Sequence, residues 1–575
     1  MTLSSGLDIS CDVLILGSGG AGLLAALHAA RTNPSLRIIL ASKGLIGKSG
    51  CTRMVQGGYN AVLDPADSLD KHLTDTLTGG QFINHQELAY TLVRNAPTMI
   101  HELETVIGCF FDRRADGRIH QKPFAGQSFD RTVHRGDLTG IEIVGRLRDA
   151  LFAAPVHVLE EVRALDLVRS ADGSRIAGAV LLDPRRGEFV RVRAGVTVLA
   201  TGGGARMYRV AAPSLEKTGD GMAMACRAGA TMVDMEMYQF HPTGLLAGAS
   251  RMTGMVLEEG LRGAGGILTN ALGERYMERY DSLRKERSTR DVVSRSSYME
   301  IVAGRGTPQG GVYIDVSHLG ADAVQQMFPG MVERCTDFGY DLRRQPVEVS
   351  PTAHFHMGGV KIDAECHSDL PGLLVAGEDS GGTHGSNRLG GNGVAESTVF
   401  GAIAGEVAAR ETPGGTPAQL DLAQVAEIER RALQPLDGGS SGEDPFAIRS
   451  TLEALMWDNV GLVRDGAGMN RALDEIQTLM ERAACLSVLS SRRLNLAWTE
   501  ALDVQNLLQV AEAVTRSALV RTESRGAHYR SDFPRQDDAR WLSNVYLRYE
   551  DRSDPRLWTE PVAFTRMSPH LAVTT

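Results

Sequence analysis

Apolar residues fall in short runs that alternate with glycine turns and helix-length stretches. Residues 13–16, Val-Leu-Ile-Leu, form a continuous apolar run, the pattern of a parallel strand buried on both faces. The run breaks into Gly17-Ser18-Gly19-Gly20-Ala21-Gly22, and residues 23–31 have helical composition. This G-x-G-x-x-G spacing between strand and helix predicts a dinucleotide site. Gly17 permits the tight turn, Gly19 lets a pyrophosphate approach the backbone, and Gly22 lets helix and strand pack closely. Phosphates then meet the unpaired N–H groups and the positive dipole end of the helix.

A second apolar stretch, 37–41, runs into Ser42-Lys43. A dinucleotide fold usually places Asp or Glu there to hold ribose hydroxyls. Its absence favours FAD, held by other contacts, over NAD. The loop 47–58 is dense in glycine, hydroxyl and amide groups and includes Cys51, Thr52, Gln56, Gly57 and Gly58; it reads as backbone wrapped around a planar ligand. Residues 86–107 and 141–151 are helical in pattern. Strands separated by turn residues fill 156–200 and end at Thr201-Gly202, a second glycine turn. Asp220, in Thr218-Gly219-Asp220-Gly221, opens a helix over 222–228 and is either a cap or a ribose ligand.

Polar chemistry is densest between 235 and 345. A strand at 373–376 then returns late and ends in Gly377-Glu378, which predicts re-entry into the first domain. The helix over 394–410, entered through Asn392-Gly393-Val394, would aim its N-terminus at the cofactor. Residues 411–444 read as a linker holding one helix, 445–519 as a helix bundle, and the end of the chain as a strand-poor tail.

Composition narrows the function. The 575 residues imply two to four lobes. A formal net charge of -10 argues against nucleic acid as a partner. No apolar run reaches the ~18 residues of a membrane helix, and the start lacks a basic stretch followed by an apolar run. These features predict a cytoplasmic chain that meets a membrane only through partner subunits. The seven cysteines are scattered with no C-x-x-C pair, so no disulfide framework, zinc site, iron–sulfur site or other metal site is written here.

The motifs, in this order over residues 10–545, resemble the flavoprotein subunits of the succinate dehydrogenase and fumarate reductase family, which includes L-aspartate oxidase. The resemblance rests on Gly17 to Gly22, Gln56-Gly57-Gly58, Thr201-Gly202-Gly203, Thr218 to Gly221, His241-Pro242-Thr243, Glu259 to Gly263, Arg290-Asp291, His354, Arg388-Leu389-Gly390-Gly391-Asn392 and Glu523 to His528. It implies an α/β fold: a discontinuous Rossmann-like FAD-binding domain (1–235 and 346–412), an inserted α+β capping domain (236–345), a helical domain (440–545) and a tail (546–575). It also implies interconversion of succinate and fumarate by hydride transfer at the flavin. His241 would hold one carboxylate of the dicarboxylate, and His354 and Arg388 the other. Arg290 would handle the proton, relayed through Glu259 and Arg262. A guanidinium resists deprotonation, so burial and a neighbouring cation must destabilise its charge; otherwise Arg290 and Arg262 are anchors for carboxylates. With no cluster ligands of its own, the chain needs an iron–sulfur subunit, with membrane-anchor subunits as further partners, or a soluble electron carrier. A flavin-bound scaffold without catalysis would have no use for this cationic clamp.

Two departures from the family pattern stand out. Respiratory members attach FAD through the histidine of Ser-His-Thr, where this chain has Gly50-Cys51-Thr52; non-covalent FAD is implied. Threonine usually precedes the relay glutamate, where this chain has Glu258. A carboxylate there repels the substrate unless it is protonated or paired with a cation; it turns outward or pairs with an arginine, or the substrate carries an ammonium there, as aspartate does. L-Aspartate oxidase is therefore the alternative, although Phe124 to Ser128 resembles the succinate/fumarate branch instead.

Overall fold

In the computed structural model, which describes residues 6–212, 214–250, 252–412, 415–437, 442–550 and 554–569, the first strand is longer than its apolar run and spans Gly6–Leu16. It pairs in parallel with Ile38–Ser42 on one side and Glu188–Leu199 on the other. Val156–Glu160 extends the sheet beyond Ile38–Ser42, also in parallel. The strand Glu188–Leu199 changes partner along its length. Its first half pairs antiparallel with Ile176–Asp183, and Thr197 to Leu199 pair in parallel with Leu373–Val375. That late strand is the re-entry read from the sequence. Carboxyl ends of parallel strands coincide in space, so the chain leaves this sheet at one edge each time, the edge where ligands bind in such folds.

The helix Gly20–Thr32 packs against Asn392–Glu411. The approach is close because small residues line it. A Cβ on Gly401 would lie 2.5 Å from the Ala21 carbonyl oxygen, and one on Gly405 2.3 Å from that of Ala25.

A four-stranded antiparallel sheet, in the order Tyr238–Leu245, Val347–His356, Val312–Asp315, Ile267–Thr269, forms the cap. It has its own apolar core, which includes Leu245, Leu261, Ile314, Met331 and Val349. The boundary read at 345 falls within this sheet, because Val347–His356 pairs with both Tyr238–Leu245 and Val312–Asp315. The anticipated bundle consists of Pro445–Asn459, Gly466–Ala483 and Leu496–Val520, and the linker carries the helix Leu422–Asp437. Residues 413, 414 and 438–441 of the linker lie outside the described residues.

The strand-poor tail is overturned. Ser543–Tyr549 and Pro555–Pro561 pair antiparallel and join Met232–Val233 in a five-stranded sheet. Alternating apolar positions Val545, Leu547 and Tyr549 are buried, a period-two signal that the short, charge-rich end obscured.

Replacing Gly405 with Ala gains about 1 kcal/mol of helix propensity, but pushing two backbones apart costs about 1–3 kcal/mol. The clash should win, because the opposing atom is main chain. Thermal unfolding of G405A is expected at a lower midpoint than wild type; an equal or higher midpoint would show that the helices separate freely.

Candidate active site at the edge of the parallel sheet

The three glycines of the first turn do different work. Gly17 has φ +111°, and a Cβ there would lie 2.1 Å from the Ala200 carbonyl oxygen. A Cβ on Gly22 would lie 1.9 Å from the Gly17 carbonyl oxygen. At Gly19 the nearest atom is Thr52 Oγ1, 3.4 Å away, so this position stays open to a close ligand. Gly19, ahead of the helix, has no side chain to cap it; the first helical N–H, on Gly20, donates instead to Thr52 Oγ1 at 3.0 Å. This is the cradle a pyrophosphate requires.

The second glycine turn is fixed by Asp379. Its carboxylate accepts from the Thr201 N–H, from the Gly202 N–H at 3.1 Å and from Thr201 Oγ1 at 3.1 Å. Burial nevertheless pushes Asp379 up to about 7. Nearby, Lys43 Nζ donates to Thr218 Oγ1 at 2.8 Å and to Asp220 Oδ2 at 3.1 Å. Burial works to raise Asp220, but Lys43 and Arg163 outweigh it and hold the carboxylate ionised.

The cap supplies the other wall. His241 lies on Tyr238–Leu245 and His354 on Val347–His356, with ring centres 5.4 Å apart. Burial, then the charge of Arg290, drives both well below the usual histidine range, so both rings are neutral. Arg290 opens the helix Arg290–Glu300. Its Nε and Nη2 donate to Glu259 Oε2 at 2.9 and 2.6 Å, and its Nη1 to Gln239 Oε1 at 3.1 Å. Arg262 Nη2 lies 3.3 Å from Glu259 Oε1. Burial works to raise Glu259, but these two guanidiniums lower it on balance. Burial and the neighbouring Arg290 bring Arg388 down to about 9. Its guanidinium stacks 4.5 Å from the centre of the Phe355 ring. Arg388 Nε and His354 Nδ1 are buried without a hydrogen-bond partner among the described residues. A buried guanidinium N–H without a partner, beside an imidazole nitrogen that also has none, suits a carboxylate.

Both walls enclose one cavity of about 500 Å³. Of the residues read from the sequence as site residues, every one lines it except Gly22, Asn392 and Arg262. Gly22 acts through helix packing, as its spacing implied. Asn392 faces away: its Oδ1 accepts from Asn60 at 2.7 Å and its Nδ2 donates to Thr76 at 3.1 Å, which pins the start of its helix. Arg262 stands behind Glu259 and donates to the Glu286 carbonyl oxygen at 2.6 Å. Cys51 is half-buried, and burial pushes its thiol up, away from the reactive thiolate.

Glu258 is paired with a cation, as a carboxylate in this wall requires, but the cation is a lysine rather than an arginine. Nor does Glu258 turn outward; it is 2 % exposed and its carboxylate pairs with Lys122. Sequence reasoning also missed Lys217, which pairs with Glu378 and donates to the His354 carbonyl oxygen at 3.0 Å, and Asp379. Adjacency to Thr218 and to Gly377-Glu378 was the only signal for these two. Lys122 carries none, being 136 residues from its partner.

Comparisons with known proteins bear on the glycine-lined wall and on the chain as a whole. A family profile described as "FAD binding domain" matches residues 12–394, and one described as "Fumarate reductase flavoprotein C-term" matches 449–574. A relative from Methanothermobacter marburgensis, named as belonging to a fumarate reductase (CoM/CoB), is 44% identical over 540 residues, 93% of this chain and 97% of the relative. Among solved structures, a FrdA variant of quinol fumarate reductase from E. coli superposes with a TM-score of 0.92 at 34% identity, covering 98% of each chain. Sdh1 of Mycobacterium smegmatis in complex with UQ1 gives 0.87 at 36%, covering 98% of this chain and 96% of that one. This chain belongs to the fumarate reductase and succinate dehydrogenase flavoprotein family and is an FAD-dependent oxidoreductase.

Proposed function

We propose that the chain interconverts succinate and fumarate, acting as the flavoprotein subunit beside an iron–sulfur partner. One observation carries this reading: two neutral histidines, His241 and His354, and two arginines, Arg388 and Arg290, line the same cavity as the glycine cradle. FAD, when bound there, supplies hydride transfer to or from a substrate carbon. The rest of the chemistry falls to the protein.

Arg388 and His354 would receive one carboxylate and His241 the other. Neutral histidines offer hydrogen bonds without needing to titrate, and the planar guanidinium matches a carboxylate edge. In the reducing direction Arg290 would give a guanidinium proton to the substrate carbon next to the one that gains hydride and would regain a proton from Arg262 through Glu259, which it meets at Oε2 and Arg262 at Oε1; oxidation would run the same transfers in reverse. Burial, with the charge of Arg290 beside them, lowers the hold of Arg262 and Arg388 on their protons.

The side chain at 51 is a thiol rather than an imidazole, so non-covalent FAD is part of the proposal. The L-aspartate reading rested on an unpaired Glu258, and Lys122 removes that support. Electrons must leave through a carrier outside the chain; the iron–sulfur partner is proposed on this ground, together with the E. coli match, which comes from a quinol fumarate reductase. Among the described residues no helix is long and apolar enough to cross a membrane; membrane-anchor subunits are proposed on the match to a quinol fumarate reductase.

The purified protein with FAD should oxidise a reduced viologen when given fumarate, and should reduce an artificial acceptor when given succinate. Failure with both substrates while flavin stays bound would overturn the assignment. Arg290→Ala should lower kcat by about 10²–10⁴-fold with flavin retained. Acid precipitation should release the flavin into the supernatant.

The pH profile carries a further expectation. Arg388 clamps a carboxylate only while protonated, so that contribution is present below its pKa and is lost as pH rises through about 9. The value of kcat/KM should be flat where neutral His241 and His354 do not titrate and should fall above that pH. A fall centred on the ordinary histidine range would show that an imidazolium holds the substrate.

A further inference from the structure

Glu258 adjoins Glu259 and lines the cavity beside the residues that would hold the substrate, yet it is a buried acid in a wall meant for a dianion. Asp137, itself buried, adds a second negative charge close by, and its Oδ2 has no hydrogen-bond partner among the described residues. Arg334 also lines the cavity, but its guanidinium reaches the Val256 carbonyl oxygen at 3.4 Å and lies nearer in charge to Asp137 than to Glu258. The group that meets Glu258 directly is Lys122, whose Nζ pairs with Oε1 and comes within 3.4 Å of the Gly136 carbonyl oxygen.

Lys122 is held in place by main chain. It lies on Gln121–Lys122, which pairs with Thr132–Val133, which in turn pairs with Tyr59–Asn60 directly after the Gly57-Gly58 loop of the cofactor wall. Gln121 locks this arrangement, donating to the carbonyl oxygens of Ala61 at 2.7 Å and Arg131 at 2.8 Å. Lys122 does not itself line the cavity; Phe124, 5.8 Å from its Nζ, does.

We propose that Lys122 is a positioning residue for the substrate: it neutralises Glu258 from behind the cavity wall, so that a dicarboxylate is accepted where an uncompensated carboxylate would repel it. The inference rests on the dicarboxylate reading above. Lys122 therefore matters to binding only because Glu258 is there.

The test uses the FAD-loaded protein and the variants Lys122→Met, Lys122→Arg, Glu258→Gln and the double variant Lys122→Met with Glu258→Thr. It reads kcat and KM for fumarate, flavin content, and the affinity for malonate from its perturbation of the flavin spectrum. Lys122→Met should raise KM and weaken malonate binding about tenfold or more, with little change in kcat or flavin content. Lys122→Arg should retain binding, and the double variant should recover most of it. Glu258→Gln should bind malonate at least as tightly as wild type. Undiminished malonate binding in Lys122→Met, a double variant as impaired as the single one, or weakened binding in Glu258→Gln would each overturn the proposal. If Lys122→Met does not fold, the Glu258→Gln result decides. Wild-type protein that binds flavin but neither malonate nor fumarate would overturn the dicarboxylate reading itself, and this inference with it.

Discussion

Buried positive charge is the constraint on which the site depends. Three guanidiniums, those of Arg262, Arg290 and Arg388, are held out of water in one seam between the FAD-binding domain and the cap. Isolated, each would cost several kcal/mol to desolvate. Glu259 meets two of them at once, taking two hydrogen bonds from Arg290 and lying within ion-pair distance of Arg262. Arg388 makes no ion pair among the described residues and faces Phe355 and the cavity; burial and then the charge of Arg290 weaken its hold on a proton. A bound dianion would complete the balance that the protein leaves open.

Close packing keeps that seam in register. A Cβ on Gly390 would lie 2.6 Å from the Phe124 ring, 2.9 Å from Glu259 Oε2 and 3.1 Å from Arg290 Nη2. The loop carrying Arg388 therefore comes against the Arg290–Glu259 pair through a residue with no side chain. The same device recurs at Gly401 and Gly405, where the two helices beneath the cavity touch main chain to main chain. Small residues set the distances, and charged residues fill the spaces that result.

Acids and cations around the cavity come in pairs drawn from distant parts of the chain. Lys43 meets Asp220, Lys217 meets Glu378 and Lys122 meets Glu258. Each pair puts a carboxylate where it can shape the wall without leaving net negative charge beside a cofactor that already carries phosphates. Breaking one such pair is costly because the surviving charge stays buried.

The local chain determined the strand–turn–helix around Gly17, Gly19 and Gly22, because backbone conformation and close approach there depend on neighbours a few residues away. It also determined the return strand at 373–375, whose short apolar run ends in glycine, and the ordered motifs that mark the family. Several features were decided only by tertiary structure. Pairing of Ser543–Tyr549 with Met232–Val233 joins segments hundreds of residues apart, and the cap sheet takes its middle strand from beyond residue 345 for the same reason. Asn392, read as facing the cofactor, turns toward Asn60 because the fold brings that amide to the start of its helix. The partner of Glu258 was equally hidden. Whether a buried carboxylate repels or accepts a substrate depends on the charge opposite it in space, and only the fold places Lys122 there.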